Sequence, residues 1–367
     1  MMDSSTEFAS AGALALKQGD GRQARELFAR ADAGDVARAL DRLLAAEPRN
    51  LLALIQRADC FVAAGDTRSA SSFYLAAIRS APPSGVPREL AAELERARKA
   101  CDGFAAEYRD YLMQSLAAKG FDPKRSSTRF AQSVDIVLGT KRIYLQQPKY
   151  YYFPGLPQIQ FYERSTFPWF DDVEAATDGI REELLAVLQE PASFTPYVTG
   201  HANRPRNDQM GLLNNPAWSA FYLWKNGDVV PENAARCPRT MHALRNAPLA
   251  QVRYRSPSIL FSLLKPGAHI PPHNGLINTR LVCHLPVIVP GRCRFRVGND
   301  ERDWEEGKAW AFDDTIEHEA WNRSDRTRVI LLFDIWRPEL SDVERSLVVA
   351  LFEAIDAHSG RKPDWEI

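Results

Sequence analysis

A chain of 367 residues, 45% hydrophobic and 25% charged, can bury a sizeable core, or two, without a disulfide or metal staple. Its 46 basic and 47 acidic residues leave a net charge of −1, which speaks against an electrostatic nucleic-acid binder. The five cysteines (Cys60, Cys101, Cys237, Cys283, Cys293) form no CxxC pair, so neither a disulfide framework nor structural zinc is expected, and reduced thiols in a cytoplasmic protein are.

The first residues lack a basic segment followed by an apolar core, so no secretory signal is expected there. No apolar run approaches the roughly 20 residues of a membrane span. Residues 1–120 read as helices rich in Ala, Leu, Arg and Glu. Pro48 and Pro82 stand 34 residues apart, with Ala58, Phe61, Ala70, Tyr74 and Ala77 between them and a Gly65-Asp66 turn in the middle. This pattern resembles a tetratricopeptide repeat, a helix–turn–helix unit whose small residues let paired helices approach. A weaker copy precedes it, with Ala24, Leu27, a Gly34-Asp35 turn, Ala37 and Leu40. One such unit cannot bury its own apolar face, so flanking helices, including one or two over 87–119, are expected to complete an array.

Residues 121–160 read as an ordered crossing segment, because the aromatic and proline-rich stretch from Gln147 to Pro157 carries rings that need burial. A helix is predicted over about 172–189, with Ile180, Leu184, Leu185 and Leu188 on one face. Beyond residue 250 the pattern turns to short strands, 258–264, 280–289, 294–297, 309–312, 318–321 and 328–335, divided by turn residues. Such spacing suggests a sandwich or barrel. A closing helix is predicted over 341–357. The expected organisation is a helical domain over 1–120, a crossing segment over 121–160 and a β-rich domain over 161–367.

Seven histidines are present, at positions 201, 242, 269, 273, 284, 318 and 358. His269, His273 and His284 crowd together, and His318 follows 45 residues after His273. Two strand-borne imidazoles brought together across a barrel suit Fe(II) and leave coordination positions open for a co-substrate and dioxygen.

The run from Ser262 to Gly275 (SLLKPGAHIPPHNG) and the following NTRLVCHL, from Asn278 to Leu285, are similar to the first metal motif of the aspartyl/asparaginyl β-hydroxylase family. The block from Trp304 to Trp321 (WEEGKAWAFDDTIEHEAW) is similar to the second, and residues 334–340 and 218–227 also resemble the family. The resemblance spans roughly residues 145–345. It implies a double-stranded β-helix (jelly-roll, cupin-like) domain, and so an α+β multidomain chain with an all-α N-terminal array. It also implies an Fe(II)-, 2-oxoglutarate- and O2-dependent hydroxylase acting on an Asp or Asn residue of a peptide or protein. Hydroxylation of a free amino acid or small metabolite, or an inactive scaffold, are the alternatives; a lipid substrate is disfavoured by the missing membrane segment.

Residue by residue, the resemblance gives His273 and His318 as the iron ligands. Gly275 stands where related oxygenases carry a third, carboxylate ligand. Arg328, ten residues after His318, would grip the distal carboxylate of 2-oxoglutarate, with Ser262 adding a hydroxyl. His284 and Trp218 would stand beside the co-substrate. Val282 departs from the family, whose best-known animal members have a co-substrate arginine there. Arg280, two residues earlier on the same strand face, is the nearest substitute, for the co-substrate or for a substrate carboxylate. His269 is expected to be structural or to support the site. Asp313 and Asp314 are expected to fix a turn outside the metal sphere.

Overall fold

The structure, a computed structural model, describes residues 4–200 and 211–359; His201 lies outside them. The chain divides into two compact units, Met1–Thr140 and Lys141–Ile367. The boundary cuts the expected crossing segment in two, giving its first half to the helical unit and its second half to the β-rich one.

The first unit comprises α1 (Ser4–Lys17), α2 (Gly21–Phe28), α3 (Ala33–Ala46), α4 (Leu51–Ala63), α5 (Thr67–Ser80), α6 (Arg88–Ala117) and α7 (Thr128–Val137). Asp20, Asn50 and Asp66 accept hydrogen bonds from backbone amides that would otherwise be orphaned at the starts of α2, α4 and α5. The Gly65-Asp66 turn separates α4 from α5 as expected, and Ala58, Ala70, Tyr74 and Ala77 are buried between them and α6. Gly34-Asp35 is not a turn: both residues lie in the first turn of α3, which Asp32 precedes.

The second unit has helices α8 (Phe170–Ala175), α9 (Thr177–Leu188), α10 (Pro231–Ala234), α11 (Pro238–Ala243) and α12 (Asp342–Ser359). Its strands are β1 (Thr195–Pro196), β2 (Trp218–Lys225), β3 (Asp228–Val229), β4 (Ile259–Leu264), β5 (His269–His273), β6 (Arg280–Ile288), β7 (Cys293–Val297), β8 (Asp300–Asp303), β9 (Trp310–Phe312), β10 (His318–Asn322) and β11 (Arg328–Trp336). They form two antiparallel sheets. The larger runs β1-β2-β4-β11-β6-β9, with β3 on β2, and the smaller runs β5-β10-β7-β8. Apolar side chains from both sheets meet between them, among them Leu264, Val282 and Ile330 from one and Ile270, Phe295 and Ala320 from the other.

The opposite face of the large sheet is covered by α8 and α9 through Phe170, Ile180, Leu184 and Val187. Leu185, expected on that buried face, is instead exposed, and Val187 takes its place. Because both faces of β4, β6 and β11 are covered, these strands are almost continuously apolar. Side chains alternate between faces, so Leu281, Cys283 and Leu285 point to the helices while Arg280, Val282 and His284 point between the sheets. The same alternation sends Arg328, Ile330, Leu332 and Asp334 of β11 inward.

Residues 141–160 lie along the barrel and hold the chain just after β5. Lys149 N–H donates to the Gly275 carbonyl at 3.0 Å and Tyr150 N–H to that of Leu276 at 2.9 Å. The Asn278 side chain bonds Phe153 N–H at 2.7 Å and the Gln146 amide at 2.9 Å. Arg337, fully buried, joins the Asp313 carboxylate at 3.0 Å to the Tyr162 hydroxyl and the Pro157 carbonyl. No helix of the described residues is long and apolar enough to cross a membrane.

Candidate active site between the two sheets

One cavity between the sheets is lined by every residue expected to hold the metal or the co-substrate: His273, His318, Arg328, Ser262, His284, Arg280 and Trp218. His273 ends β5 and His318 begins β10, and the two are directly paired across the antiparallel ladder. Their ring centroids are 4.1 Å apart. The Nδ1 of His273 lies 2.8 Å from the Pro271 carbonyl oxygen, and that of His318 lies 3.0 Å from the Ile316 oxygen. A carbonyl only accepts, so each Nδ1 carries the proton and each Nε2 keeps a lone pair free for a metal. Burial lowers the pKa of His273 to about 4 and holds His318 well below the usual histidine range, so both rings are neutral. Among the described residues no third His, Cys, Asp or Glu joins them in a metal-binding cluster.

Gly275 explains that gap. Its N–H donates to the Asp314 carbonyl at 2.6 Å, and a Cβ placed on it would fall on the Asp314 carboxylate. Asp314 therefore occupies the space a side chain at 275 would need. Gly275→Ala is expected to push Asp314 away from Arg280 and to destabilise the barrel by about 2–3 kcal/mol, as overpacking does; urea unfolding followed by tryptophan fluorescence checks this, and an unchanged midpoint would mean that Asp314 yields freely.

Asp313 and Asp314 part company. Asp313 fixes the turn as expected, its carboxylate accepting from Thr315 N–H at 3.0 Å and Oγ1 at 2.6 Å. Asp314 instead faces the cavity and accepts from Arg280 Nη2 at 3.0 Å. Burial pushes its carboxyl up to about 7, against the pull of Arg280. The other nitrogen of Arg280 binds Asp334, so the arginine proposed to replace a cation at Val282 is already held by two carboxylates. Val282 lies between Arg280 and His284 on the cavity side of β6.

Arg328 is the opposite case. It is 1% exposed, and among the described residues no carboxylate pairs with it. Its Nη1 donates to the Ser262 carbonyl at 3.2 Å, its Nε has no partner among the described residues, and its guanidinium lies 4.7 Å from the Trp304 ring centroid. Burial lowers its pKa to about 10. A buried cation without a counter-ion is costly, and this one opens on a cavity that could admit an anion. Trp218 donates its indole N–H to Ser262 Oγ at 3.1 Å, which leaves the serine proton available to another acceptor. Its ring stacks on Tyr197 at 4.0 Å. His284 is buried among Phe295, Phe312 and Trp304, and its Nδ1 has no partner among the described residues. Burial and the nearby Arg328 keep it neutral, with a pKa well below the usual range.

His269 stays outside the cavity lining. It stacks on Trp321 with rings 5.3 Å apart and meets Glu319 at 3.0 Å, so it supports the outer face of the strands that carry the two histidines. Sequence reasoning did not find Tyr197, Trp304 or Asp334, which also line the cavity.

The family model described as aspartyl/asparaginyl beta-hydroxylase matches residues 174–338. An ornithine lipid ester-linked acyl 2-hydroxylase of Rhizobium tropici is 33% identical over 220 residues, 59% of this chain and 72% of that protein. The aspartyl/asparaginyl beta-hydroxylase of Homo sapiens is 35% identical over 175 residues, 47% of this chain but 21% of that protein. An aspartate beta-hydroxylase domain-containing protein 2 of Xenopus tropicalis is 28% identical over 211 residues, 57% of this chain and 55% of that one. The chain thus spans about a fifth and about half of the two vertebrate proteins. With the matched segment enclosing both histidines, Arg328 and Ser262, the chain belongs to the aspartyl/asparaginyl β-hydroxylase family.

Proposed function

We propose that this protein is an iron(II)- and 2-oxoglutarate-dependent dioxygenase that hydroxylates an unactivated carbon, and that its first substrate class is the β-carbon of Asp or Asn in a peptide or protein. One observation carries the reading: two neutral imidazoles with free Nε2 atoms share a cavity with a buried arginine that pairs with no carboxylate among the described residues.

When bound, ferrous ion with 2-oxoglutarate and dioxygen supplies the oxidising power for the C–H hydroxylation. The rest falls to the chain. His273 and His318 hold the metal through Nε2, their rings fixed by the Pro271 and Ile316 carbonyls. Arg328 grips the distal carboxylate of the diacid as a two-pronged donor, and Ser262, steadied by Trp218, adds its hydroxyl. His284 stands beside the diacid as a neutral group. Ile270, Val282, Phe295, Phe312 and Ile330 wall the cavity and exclude water.

The peptide substrate is supported by the identity to the human protein. A second reading, hydroxylation of a lipid acyl chain, is favoured by the longer match to the Rhizobium protein and by the closed pairing of Arg280, the arginine nearest at hand for an aspartyl carboxylate. The lack of a membrane-crossing helix among the described residues does not weigh against it, because an acyl chain can enter a cavity without one. A free amino acid or small metabolite is the remaining alternative. An inactive scaffold would have no use for His273, His318 and Arg328 in these positions. A reducing compartment such as the cytoplasm suits five unpaired cysteines.

The test is 2-oxoglutarate turnover by the iron-loaded full-length protein, alone and with Asp/Asn peptides, free amino acids, or ester-linked acyl lipid in detergent micelles. The expected result is succinate formation stimulated by peptide, with one oxygen added to an Asp or Asn. Stimulation by lipid alone would move the assignment to the acyl chain, and no succinate in any arm would sink the dioxygenase reading.

A further inference from the structure

Trp304 has no role in the roster above, yet it stands at the Arg328 end of the cavity. It lies between β8 and β9 in a segment that is firmly held. Gly307 N–H donates to the Pro286 carbonyl at 2.9 Å, and the Glu306 carboxylate accepts from Val289 N–H at 2.7 Å and Arg181 at 3.1 Å. The side chain is 6% exposed, and its Nε1 is buried with no hydrogen-bond partner among the described residues. The indoles of Trp224 and Trp310 also lack partners, but neither lines the cavity.

An indole nitrogen can only donate, and leaving a buried donor unsatisfied is unfavourable. The group that completes Trp304 must therefore be an acceptor. Next to it are two nitrogens likewise without partners among the described residues, Arg328 Nε and His284 Nδ1, and the Arg328 guanidinium, which pairs with no carboxylate there. Three unpartnered nitrogens and one uncompensated positive charge at one end of one cavity fit a single small anion with several lone pairs, as a carboxylate has. Position 282, where the resemblance gives the best-known animal members a co-substrate arginine, is Val282 here.

We infer that Trp304 is a binding residue for the diacid: its indole N–H donates to the carboxylate that Arg328 holds, and its ring face supports the Arg328 guanidinium. The assignment rests on the dioxygenase reading and adds a residue to it. On this account the carboxylate is held by one cation, Arg328, together with a neutral indole donor.

The experiment uses the full-length protein loaded with Zn(II), which binds the diacid without turnover. Titration calorimetry with 2-oxoglutarate compares wild type with Trp304→Phe, which keeps a ring under Arg328 and removes the N–H. The expected result is about a tenfold rise in Kd, with zinc affinity and unfolding midpoint unchanged. In parallel, the indole N–H resonance that disappears in Trp304→Phe is followed in nitrogen-15-labelled wild type. It is expected to move downfield when 2-oxoglutarate is added, a readout that does not depend on how well the variant folds. Equal Kd values in the two proteins, or a resonance that stays still while calorimetry shows the diacid binding, would overturn the role of Trp304 and leave the dioxygenase reading standing. Wild type that binds no diacid would overturn both.

Discussion

His318→Ala is expected to abolish ferrous-ion binding at the barrel and, with it, 2-oxoglutarate turnover. If His273 and His318 are the two protein ligands proposed above, removing one leaves a single imidazole. Groups that merely hydrogen-bond to metal ligands are worth roughly 10–100-fold, so the loss of a ligand itself should exceed about 100-fold. The fold should survive. Burial keeps His318 neutral, so truncation strands no charge, and the β10 backbone pairing with β7 does not depend on the ring. Anaerobic iron binding, succinate formation and the unfolding midpoint are the measurements. A further signature separates a shared metal from two independent roles: His273→Ala/His318→Ala should be no worse than either single change, because groups acting as one unit are grossly non-additive. Substantial turnover in either single variant would remove the metal site from these residues.

Arg328→Met should move stability and binding in opposite directions. The native arginine is buried without a carboxylate partner among the described residues, so the metal-free, diacid-free fold carries an uncompensated charge. Replacing buried charge by an apolar side chain of similar length commonly stabilises by about 1–4 kcal/mol, and the variant should unfold at higher denaturant concentration than wild type. Its affinity for 2-oxoglutarate should fall by about 2–5 kcal/mol, the usual consequence of truncating one side of a buried charge pair, or roughly 30- to several-thousand-fold. Metal affinity should not change. Arg328→Lys keeps the charge and loses the planar fork, so it should fall between. An Arg328→Met protein that is less stable and binds the diacid normally would mean that the arginine serves the fold and not the ligand.

Much of the β-rich unit was legible because its central strands are buried on both sides. The predicted runs 258–264, 280–289 and 328–335 correspond to β4, β6 and β11 to within a residue or two, since a strand covered on both faces reads as a nearly unbroken apolar stretch. β5 was not predicted as a strand, although it carries His273. Pro271 and Pro272 remove two backbone donors, and such a segment is tolerated only at a sheet edge or irregularity; β5 is an edge strand and its register against β10 shifts beside His318. The motif blocks located the cavity residues, but not their partners. That Arg280 is committed to Asp314 and Asp334, while Arg328 is not committed to any carboxylate among the described residues, depends on contacts between strands far apart in sequence. Periodicity also misplaced Leu185: at about 100° per residue it lies roughly 140° around α9 from Ile180, outside the stripe that Ile180, Leu184 and Val187 turn to the sheet.

The pairing of His273 with His318 has a mechanical side. β5 is held laterally by one neighbour, β10, and its ladder is interrupted next to His318. An ion shared by both imidazoles would rivet that margin to the interior of its sheet, at the spot where amide pairing is thinnest. Occupancy and rigidity at the rim would then be a single equilibrium, and the emptied protein would fray first along β5, ahead of the sealed strands on the other wall.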